Sequence, residues 1–383
     1  MSRFFDPTPQ QARQLEEIAA AIPGVQKTFV DNHPHLTAAD RAAHQQQIAA
    51  SQVLLTIADR LPAELDGLGV FTRREGTSDR VIGIGRISTG LGCPHAETDA
   101  DFLGLMVAFR TPAGRRIDLI TINDPRSPTD TPEEFLALLK ATADAARATG
   151  LLASQATLLG SLVRHAGFGA VRIAAHVTAQ TSRTVRSASA YQQYWTGVVR
   201  ARDVLGKFTF VPTVDAPDGP PPGPTRFTQD WRARQSAGDL DFDLRWIPFL
   251  DERRTPVEDL TRPWAHDHEV RVGRVTFPRT DFDSHEAKLT ALLASELGAN
   301  PGNWDEIPGG RGSALPSTRF TAARQLAYRA SQASRHALAD DSYATFFEGG
   351  IIGPELAAEL VRRYEQKRAT GQWVPDVGAL STV

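Results

Sequence analysis

Residues 324–335 of the 383-residue sequence, RQLAYRASQASR, decide how the rest of the chain is interpreted. They lie in a pattern of apolar and polar residues at helical spacing, which predicts a helix over residues 319–338. Arg324 and Tyr328 are four residues apart, so on a helix they share one face and the guanidinium can reach the phenol. Such a pair is common on ordinary helices, so its meaning depends on what the remaining sequence offers.

The sequence around this helix divides into a helical beginning, a β-rich middle and a helical end. Further helices are predicted over residues 8–22, where Pro23-Gly24 ends the pattern, around residues 41–50, and over residues 132–162 and 354–367. Short apolar or β-branched runs separated by tight turns predict strands over residues 53–57, 80–88, 105–109, 117–122, 207–212, 242–249 and 269–277. This order is typical of an α+β fold and differs from alternating βαβ units.

The composition is that of an ordinary globular protein, with 41% hydrophobic and 23% charged residues. A formal net charge of −3 argues against nucleic acid or an anionic membrane surface as the main partner. The single cysteine, Cys93, cannot form an internal disulfide, and we expect it to be a small buried hydrophobe. The sequence shows no apolar signal segment and no run of about 18 apolar residues, so we expect a cytoplasmic protein without a membrane span.

Two segments in the first third of the chain resemble the sequences of catalases and of the shorter catalase-related peroxidases. Arg41-Ala-Ala-His44 is similar to the R-x-x-H of this family. Arg86-Ile-Ser88 resembles its R-F-S, which precedes an acidic stretch and a strand that begins here at Gly104.

Further segments continue the resemblance in the family's order. Asp118-Leu-Ile-Thr-Ile-Asn123-Asp-Pro is similar to the family's D-x-x-x-x-N-x-P, and VEDLTRPW at residues 257–264 resembles its EDA…W. The stretch RQLAYRASQASR matches R-x-x-x-Y-x-x-x-x-x-x-R, with Tyr328 at the tyrosine and Arg335 at the last arginine. The resemblance therefore extends from about residue 41 to residue 335, with Gln45-Gln46-Gln47 standing where the family has a Lys and a Gly-containing turn.

The resemblance implies an antiparallel β-barrel of about eight strands surrounded by helices, with haem buried between the barrel and the helix that carries Tyr328. It divides the chain into an N-terminal helical arm at residues 1–40, a catalase-like haem-binding domain at residues 41–338 and a C-terminal helical tail at residues 339–383. The chain is shorter than typical catalases, which favours the compact catalase-related type.

The resemblance also assigns roles in binding haem b. Tyr328 is implied as the axial ligand of the iron, because catalases hold their iron by a tyrosinate. A free tyrosine has a pKa of about 10, and a neighbouring guanidinium such as that of Arg324 favours the anionic form. Arg41, Arg86 and Arg335 occupy family positions that bind the haem propionates, a task suited to the forked guanidinium.

Three further residues are implied to act on the peroxide. His44 corresponds to the distal histidine, which can take a proton from one peroxide oxygen and return it to the other. Ser88 would orient its imidazole, and Asn123 would hydrogen-bond the second oxygen. Each has an ordinary alternative, as a solvated helical histidine, a structural serine in a strand and a turn-forming asparagine. His33 and His35 could suggest a metal site, but they lack a carboxylate partner at ligand spacing.

The implied function is that of a haem peroxidase or catalase that reduces hydrogen peroxide or organic hydroperoxides through a ferryl intermediate, with an organic reductant. Two alternatives stay open. The first is an enzyme of the same fold that rearranges lipid hydroperoxides or acts in specialised metabolism, and the second is a haem-binding protein without turnover. The sequence leaves open the physiological substrate, the reductant, NADPH binding and assembly into a homo-oligomer.

Overall fold

The computed structural model describes residues 5–33, 36–38, 40–72, 80–99, 101–148, 151–181, 185–190, 193–214, 223, 225–257, 259–305 and 317–378. His35 and Glu258 lie outside these ranges. The helices in the described part are α1 (Pro9–Asn32), α2 (Pro132–Ala145), α3 (Leu151–Ala166), α4 (Ala170–Thr181), α5 (Arg226–Ala237), α6 (His285–Glu296), α7 (Gly302–Asp305), α8 (Arg319–Ser334), α9 (Phe346–Gly349) and α10 (Pro354–Ala369). None of them is long and apolar enough to cross a membrane.

Eight antiparallel strands close into a barrel, as predicted. The strands of the sheet are β1 (Gln47–Ile57), β2 (Arg80–Thr89), β3 (Leu103–Arg110), β4 (Arg116–Ile122), β5 (Tyr194–Thr196), β6 (Val199–Ala201), β7 (Val204–Pro212), β8 (Leu240–Pro248) and β9 (Val270–Phe277). Consecutive pairing runs from β1 to β5, then from β5 to β7, β8 and β9, and β9 returns to β1. The short strand β6 pairs with β7 and stands outside this ring.

The barrel interior is filled by large side chains that alternate along the strands. In β8 every second residue from Leu240 to Trp246 is buried, which is the period of an inward-facing strand. Phe208 of β7 packs against the rings of Trp246 and Trp304, with ring centroids 4.9 Å apart in both pairs. The barrel is therefore a packed core and not a pore.

Helices cover the outside of the barrel and bring distant parts of the sequence together. Ile22, Val25 and Phe29 of α1 share a buried cluster with Leu139 of α2 and Ala327 of α8. A second cluster joins α6 and α10 to the barrel wall, and Tyr328 packs against it. Helix α8 therefore lies between the N-terminal helix and the barrel.

The seven predicted strands are confirmed, six of them with small shifts of their ends, while β1 begins at Gln47 and not at residue 53. The helices near residues 319–338 and 354–367 are confirmed, and the helical region 132–162 is divided between α2 and α3. The structure adds the short strands β5 and β6, which are too brief to give a period-two pattern, and the helices α4 and α5. Cys93 is buried as expected, and burial raises the pKa of its thiol to about 12.

One predicted helix boundary is wrong, and the helix predicted around residues 41–50 is absent. Helix α1 does not end at Pro23 but continues to Asn32, because Val25 and Phe29 bury their side chains and this packing offsets the missing hydrogen bond of the proline. Residues 41–46 form no helix, and the next residue, Gln47, begins β1. The backbone of His44 has a φ of 57°, which ends any helical path there.

The close packing of the barrel predicts a clear response to one added methyl group. A Cβ at Gly206 in β7 would come within 2.2 Å of the buried Trp246 ring, so we expect Gly206→Ala to lower the free energy of unfolding. The expected loss is about 1–3 kcal/mol in urea denaturation, the usual cost of overpacking.

Gly160→Ala is the matched control, because a Cβ at Gly160 in α3 would meet no heavy atom within 4 Å. This variant should be more stable than the wild type by about 0.5–1 kcal/mol, since alanine favours a helix. Equal stability of Gly206→Ala and the wild type would show that the barrel core is packed differently.

Candidate functional site

The backbone of His44 is fixed by a neighbouring loop and by one buried arginine. The His44 N–H donates to Gly90 O over 2.9 Å, and the Gln45 N–H donates to Leu91 O over 3.0 Å. The carbonyl groups of the same two residues are held by Arg86, whose Nη2 donates to His44 O at 2.8 Å and to Gln45 O at 3.1 Å. His44 is therefore held at the end of the barrel where β1 begins and β2 ends.

The imidazole of His44 has one defined tautomer. Its Nδ1 lies 3.0 Å from Thr89 O and 3.2 Å from Ser88 Oγ. A carbonyl oxygen only accepts, so Nδ1 carries the hydrogen and Nε2 carries the lone pair. The ring packs directly over Gly104, where an added Cβ would come within 2.4 Å of it. The orientation of the ring is thus set by the end of β2 and the start of β3.

Burial determines the charge of this imidazole. Desolvation lowers the pKa of His44 to about 4, and the positive charges of Arg86 and Arg324 act in the same direction, while Asp101 opposes them. The ring is therefore neutral at neutral pH. A neutral ring with its lone pair on Nε2 can accept a proton at that atom.

Three arginines gather beside His44 and hydrogen-bond backbone carbonyls. Arg41 donates from Nη2 to Ser295 O at 2.6 Å, and Arg335 donates from Nη2 to Leu297 O at 2.5 Å. Both carbonyls belong to the C-terminal end of α6, where free carbonyls and the negative end of the helix dipole attract cations. Arg86 also donates from Nε to Gln47 Oε1 at 3.1 Å.

These arginines carry more positive charge than the carboxylate among them offsets. Burial and the charge of Arg41 lower the pKa of Arg86 below its ordinary value, and the same two causes lower that of Arg335 to about 10. Asp40 is the carboxylate whose charge acts on the pKa of both, and Glu296 acts on that of Arg335 as well. Burial would raise the pKa of Asp40, but Lys367, Arg335 and Arg41 together hold it below its ordinary value. The surplus charge suits a ligand that brings carboxylates of its own.

Helix α8 brings its tyrosine to the same region. Nη2 of Arg324 lies 3.5 Å from the Tyr328 hydroxyl oxygen, and Cζ of Arg324 lies 5.6 Å from the centroid of the Tyr328 ring. Gly197, between β5 and β6, gives the guanidinium its space, because a Cβ there would lie 3.0 Å from Arg324 Nη1. The phenol of Tyr328 is half-buried, with its hydroxyl beside this guanidinium.

Residues from the first quarter of the sequence interact electrostatically with residues of α8. The charge of Arg324 contributes to the lowered pKa of His44, and Tyr328 lies near enough to Arg86 to act on the pKa of its guanidinium. Asn123 is bonded to Leu103 at the start of β3. Its Oδ1 accepts the Leu103 N–H at 2.9 Å, and its own N–H donates to Leu103 O at 2.9 Å. Hydrogen bonds and electrostatic interactions thus connect seven residues singled out from the sequence: Arg41, His44, Arg86, Ser88, Arg324, Tyr328 and Arg335. The eighth, Asn123, is bonded to Leu103, the neighbour of the Gly104 that packs under the His44 ring.

Four supporting side chains were not singled out as site residues from the sequence. Gln45 accepts the Arg41 N–H at 2.8 Å and donates to Asp40 at 3.0 Å, while Gln47 orients Arg86. Asp101 accepts the N–H groups of Gly90 and Leu91 at 2.6 and 3.0 Å and so fixes the loop that holds His44. The sequence shows acidic residues after the R-I-S segment, but it does not show which of them, Asp101, accepts the N–H groups of the loop.

No family model matches the sequence, and no curated protein sequence matches it. The structure is similar to that of a fungal catalase, with a TM-score of 0.57, 16% identity, and coverage of 78% of this chain and 59% of that chain. It is also similar to catalase A from Saccharomyces cerevisiae, with a TM-score of 0.57, 15% identity, and coverage of 83% of this chain and 66% of that chain. The chain therefore has the catalase fold and spans about three-fifths to two-thirds of the length of these enzymes.

The low pKa of His44 predicts a pH-dependent part of folding stability. Its folded pKa of about 4 lies below the ordinary 6.5, so the unfolded chain binds the proton more readily between these values. Stability from this residue is complete above pH 6.5 and is lost as the pH falls towards 4. As the pH falls from about 7 to about 4, we expect the unfolding free energy of His44→Gln to rise by about 2–3 kcal/mol relative to that of the wild type. A difference in unfolding free energy that stays constant over this range would contradict a buried neutral His44.

Proposed function

We propose that the chain is a haem b-dependent peroxidase or catalase-like oxidoreductase that reduces hydrogen peroxide or organic hydroperoxides. The observation that carries this proposal is the group of buried and half-buried guanidinium groups between a neutral histidine at the barrel end and a tyrosine paired with arginine on α8. A haem group has two propionate carboxylates and an iron that takes an anionic oxygen ligand, so its chemistry fits both features.

Tyr328 is the proposed iron ligand, and Arg324 is the proposed cation that keeps the phenol ionised. Arg41, Arg86 and Arg335 are the proposed partners of the propionates, since each is anchored on carbonyl oxygens that fix its direction. When bound, the iron porphyrin supplies the electrons that break the peroxide O–O bond. These five residues support haem binding because they offer one ligand for the iron and cations for the propionates.

The chain's own part in the reaction is proton transfer and orientation. His44 accepts the proton of one peroxide oxygen at Nε2 and delivers it to the other oxygen, which leaves as water or as an alcohol. Thr89 O and Ser88 Oγ keep the Nδ1 hydrogen in place, so the same tautomer is restored after each transfer. Asn123, fixed by Leu103, is the proposed hydrogen-bonding partner of the second oxygen.

Two assays distinguish this proposal from its alternatives. Oxygen evolution from hydrogen peroxide and oxidation of a dye by cumene hydroperoxide should be measured on the same haem-loaded protein. Activity in either assay supports the proposal. Inactivity in both, with a lipid hydroperoxide converted to an isomer, would favour the rearranging enzyme. Inactivity in all three would leave a haem-binding protein without turnover.

Tyr328→Phe tests the proposed iron ligand. We expect this variant to lose most of its bound haem, or to change its Soret spectrum markedly, because the phenyl ring has no oxygen to offer the iron. Tyr364→Phe is the matched control, since Tyr364 is a buried tyrosine on α10 outside the proposed site. Haem content and absorption spectra should be compared at equal protein concentration. An unchanged spectrum for Tyr328→Phe would show that another group binds the iron.

His44→Ala tests the proposed proton carrier. We expect it to retain haem but to cleave peroxide about 100-fold more slowly, the usual scale for losing a general acid–base group. The control is His165→Ala, because His165 lies on α3 near Asp144 and has no part in the proposed site. Single-turnover mixing with hydrogen peroxide gives the rate. Wild-type rates in His44→Ala would contradict the assignment.

A further inference from the structure

An open cavity of about 520 Å³ lies next to the segment that carries His44. Its lining includes Leu36, Pro94 and Trp373, together with the polar side chains of Gln46, His95 and Gln372. None of the described residues that line it is an Asp, Glu, Lys or Arg. An apolar lining with a few polar groups, at this volume, is typical of a site for a small organic molecule.

The wall of this cavity is connected to His44 by hydrogen bonds and by one close pair of charged groups, His95 and Asp101. Gln46 accepts the His95 N–H at 2.9 Å, and Nε2 of His95 lies 3.2 Å from Asp101 Oδ2. The same carboxylate oxygen holds the N–H groups of Gly90 and Leu91, whose carbonyls hold the His44 and Gln45 peptides. A molecule in the cavity would therefore lie against the frame that positions the proposed proton carrier.

The lining favours a neutral ligand. Nδ1 of His95 faces Cys93 O at 3.2 Å, and Nε2 faces the Asp101 carboxylate, so both ring nitrogens meet groups that only accept. This makes His95 an imidazolium whose charge is matched by Asp101. A charged ligand would find no further counter-charge in the described lining, and its desolvation would not be offset.

The lining also favours a flat ligand with a hydroxyl group. Trp373 is half-buried and lines the cavity, so its indole is available to a flat ring. Leu36 and Pro94 add apolar contact, and the side-chain amides of Gln46 and Gln372 can hydrogen-bond one oxygen. A phenol combines these properties, because it has an aromatic ring, no charge at neutral pH and a single polar group.

We propose that this cavity binds a neutral substituted phenol that serves as the organic electron donor, an inference that rests on the proposed peroxidase function. Each phenol gives up one electron and its hydroxyl proton and becomes a phenoxyl radical. Two phenols thus supply the two electrons and two protons that convert one hydrogen peroxide into two waters. The donor approaches beside the His44 loop, and the peroxide reacts at the iron.

The first experiment measures binding alone and requires no turnover. Isothermal titration calorimetry of the full-length protein with p-cresol should give binding that weakens on the order of ten-fold in Trp373→Leu, the scale of a lost aromatic contact. Trp373→Phe, which keeps a flat ring, should recover part of the affinity. Phe282→Leu is the matched control, because Phe282 is a half-buried aromatic residue outside the cavity lining.

Two related molecules test the ligand class. Methylcyclohexanol, the saturated analogue of p-cresol, and p-hydroxybenzoate, its anionic relative, should both bind more weakly than p-cresol. Equal affinity for p-cresol and methylcyclohexanol would overturn the requirement for a flat ligand. Unchanged p-cresol affinity in Trp373→Leu, or an equal loss in Phe282→Leu, would overturn the assignment of the cavity.

The second experiment measures steady-state kinetics of the haem-loaded protein with p-cresol and hydrogen peroxide. Trp373→Leu should raise KM for p-cresol and leave KM for peroxide and kcat at saturating p-cresol unchanged. A rise in KM for peroxide instead would overturn the donor site. Binding of p-cresol without any peroxide-dependent oxidation would support the cavity as a phenol site and contradict the proposed function, so the two failures are distinguishable.

Discussion

The arrangement of the candidate site depends on guanidinium groups anchored to backbone carbonyls. Arg86 holds the peptides of His44 and Gln45, while Arg41 and Arg335 hold the C-terminal end of α6. These contacts hold the segment before β1, strand β2 and the end of α8 close to one another. Arg86 and Arg335 are buried and Arg41 is half-buried, with Asp40 among them and Glu296 acting on the pKa of Arg335. Buried cations are costly unless anionic groups join them, so such a cluster suits an anionic ligand.

The anchoring explains how residues far apart in sequence act on one another. The strands of the barrel lie between His44 and Tyr328 in the sequence. Even so, Arg324 acts on the pKa of His44, and Tyr328 acts on the pKa of Arg86. Burial keeps the imidazole of His44 neutral, and the Arg324 guanidinium lies against the Tyr328 ring. A neutral base on one side and an anionic ligand on the other are what the proposed haem peroxidase needs.

The sequence predicted the parts of the fold that have strong local periodicity. The strand 80–88 and the helix around Tyr328 follow from such patterns and agree with β2 and α8. The segment at His44 was predicted as helix because its residues favour one, but Arg86 and the Gly90 loop impose a different backbone. Pro23 likewise did not end α1, since the burial of Phe29 depends on helices predicted elsewhere in the chain. The roles of Asp40 and Asp101 depend on which loops they face, and local sequence does not contain that information.

We propose that the phenolate of Tyr328 on α8 binds the iron of a porphyrin. Resonance Raman spectroscopy of the haem-loaded protein, prepared with ordinary and with ring-deuterated tyrosine, decides whether it does. We expect iron–phenolate bands that shift on deuteration. A protein that stays colourless with added hemin, or whose haem bands are insensitive to the label, would contradict it.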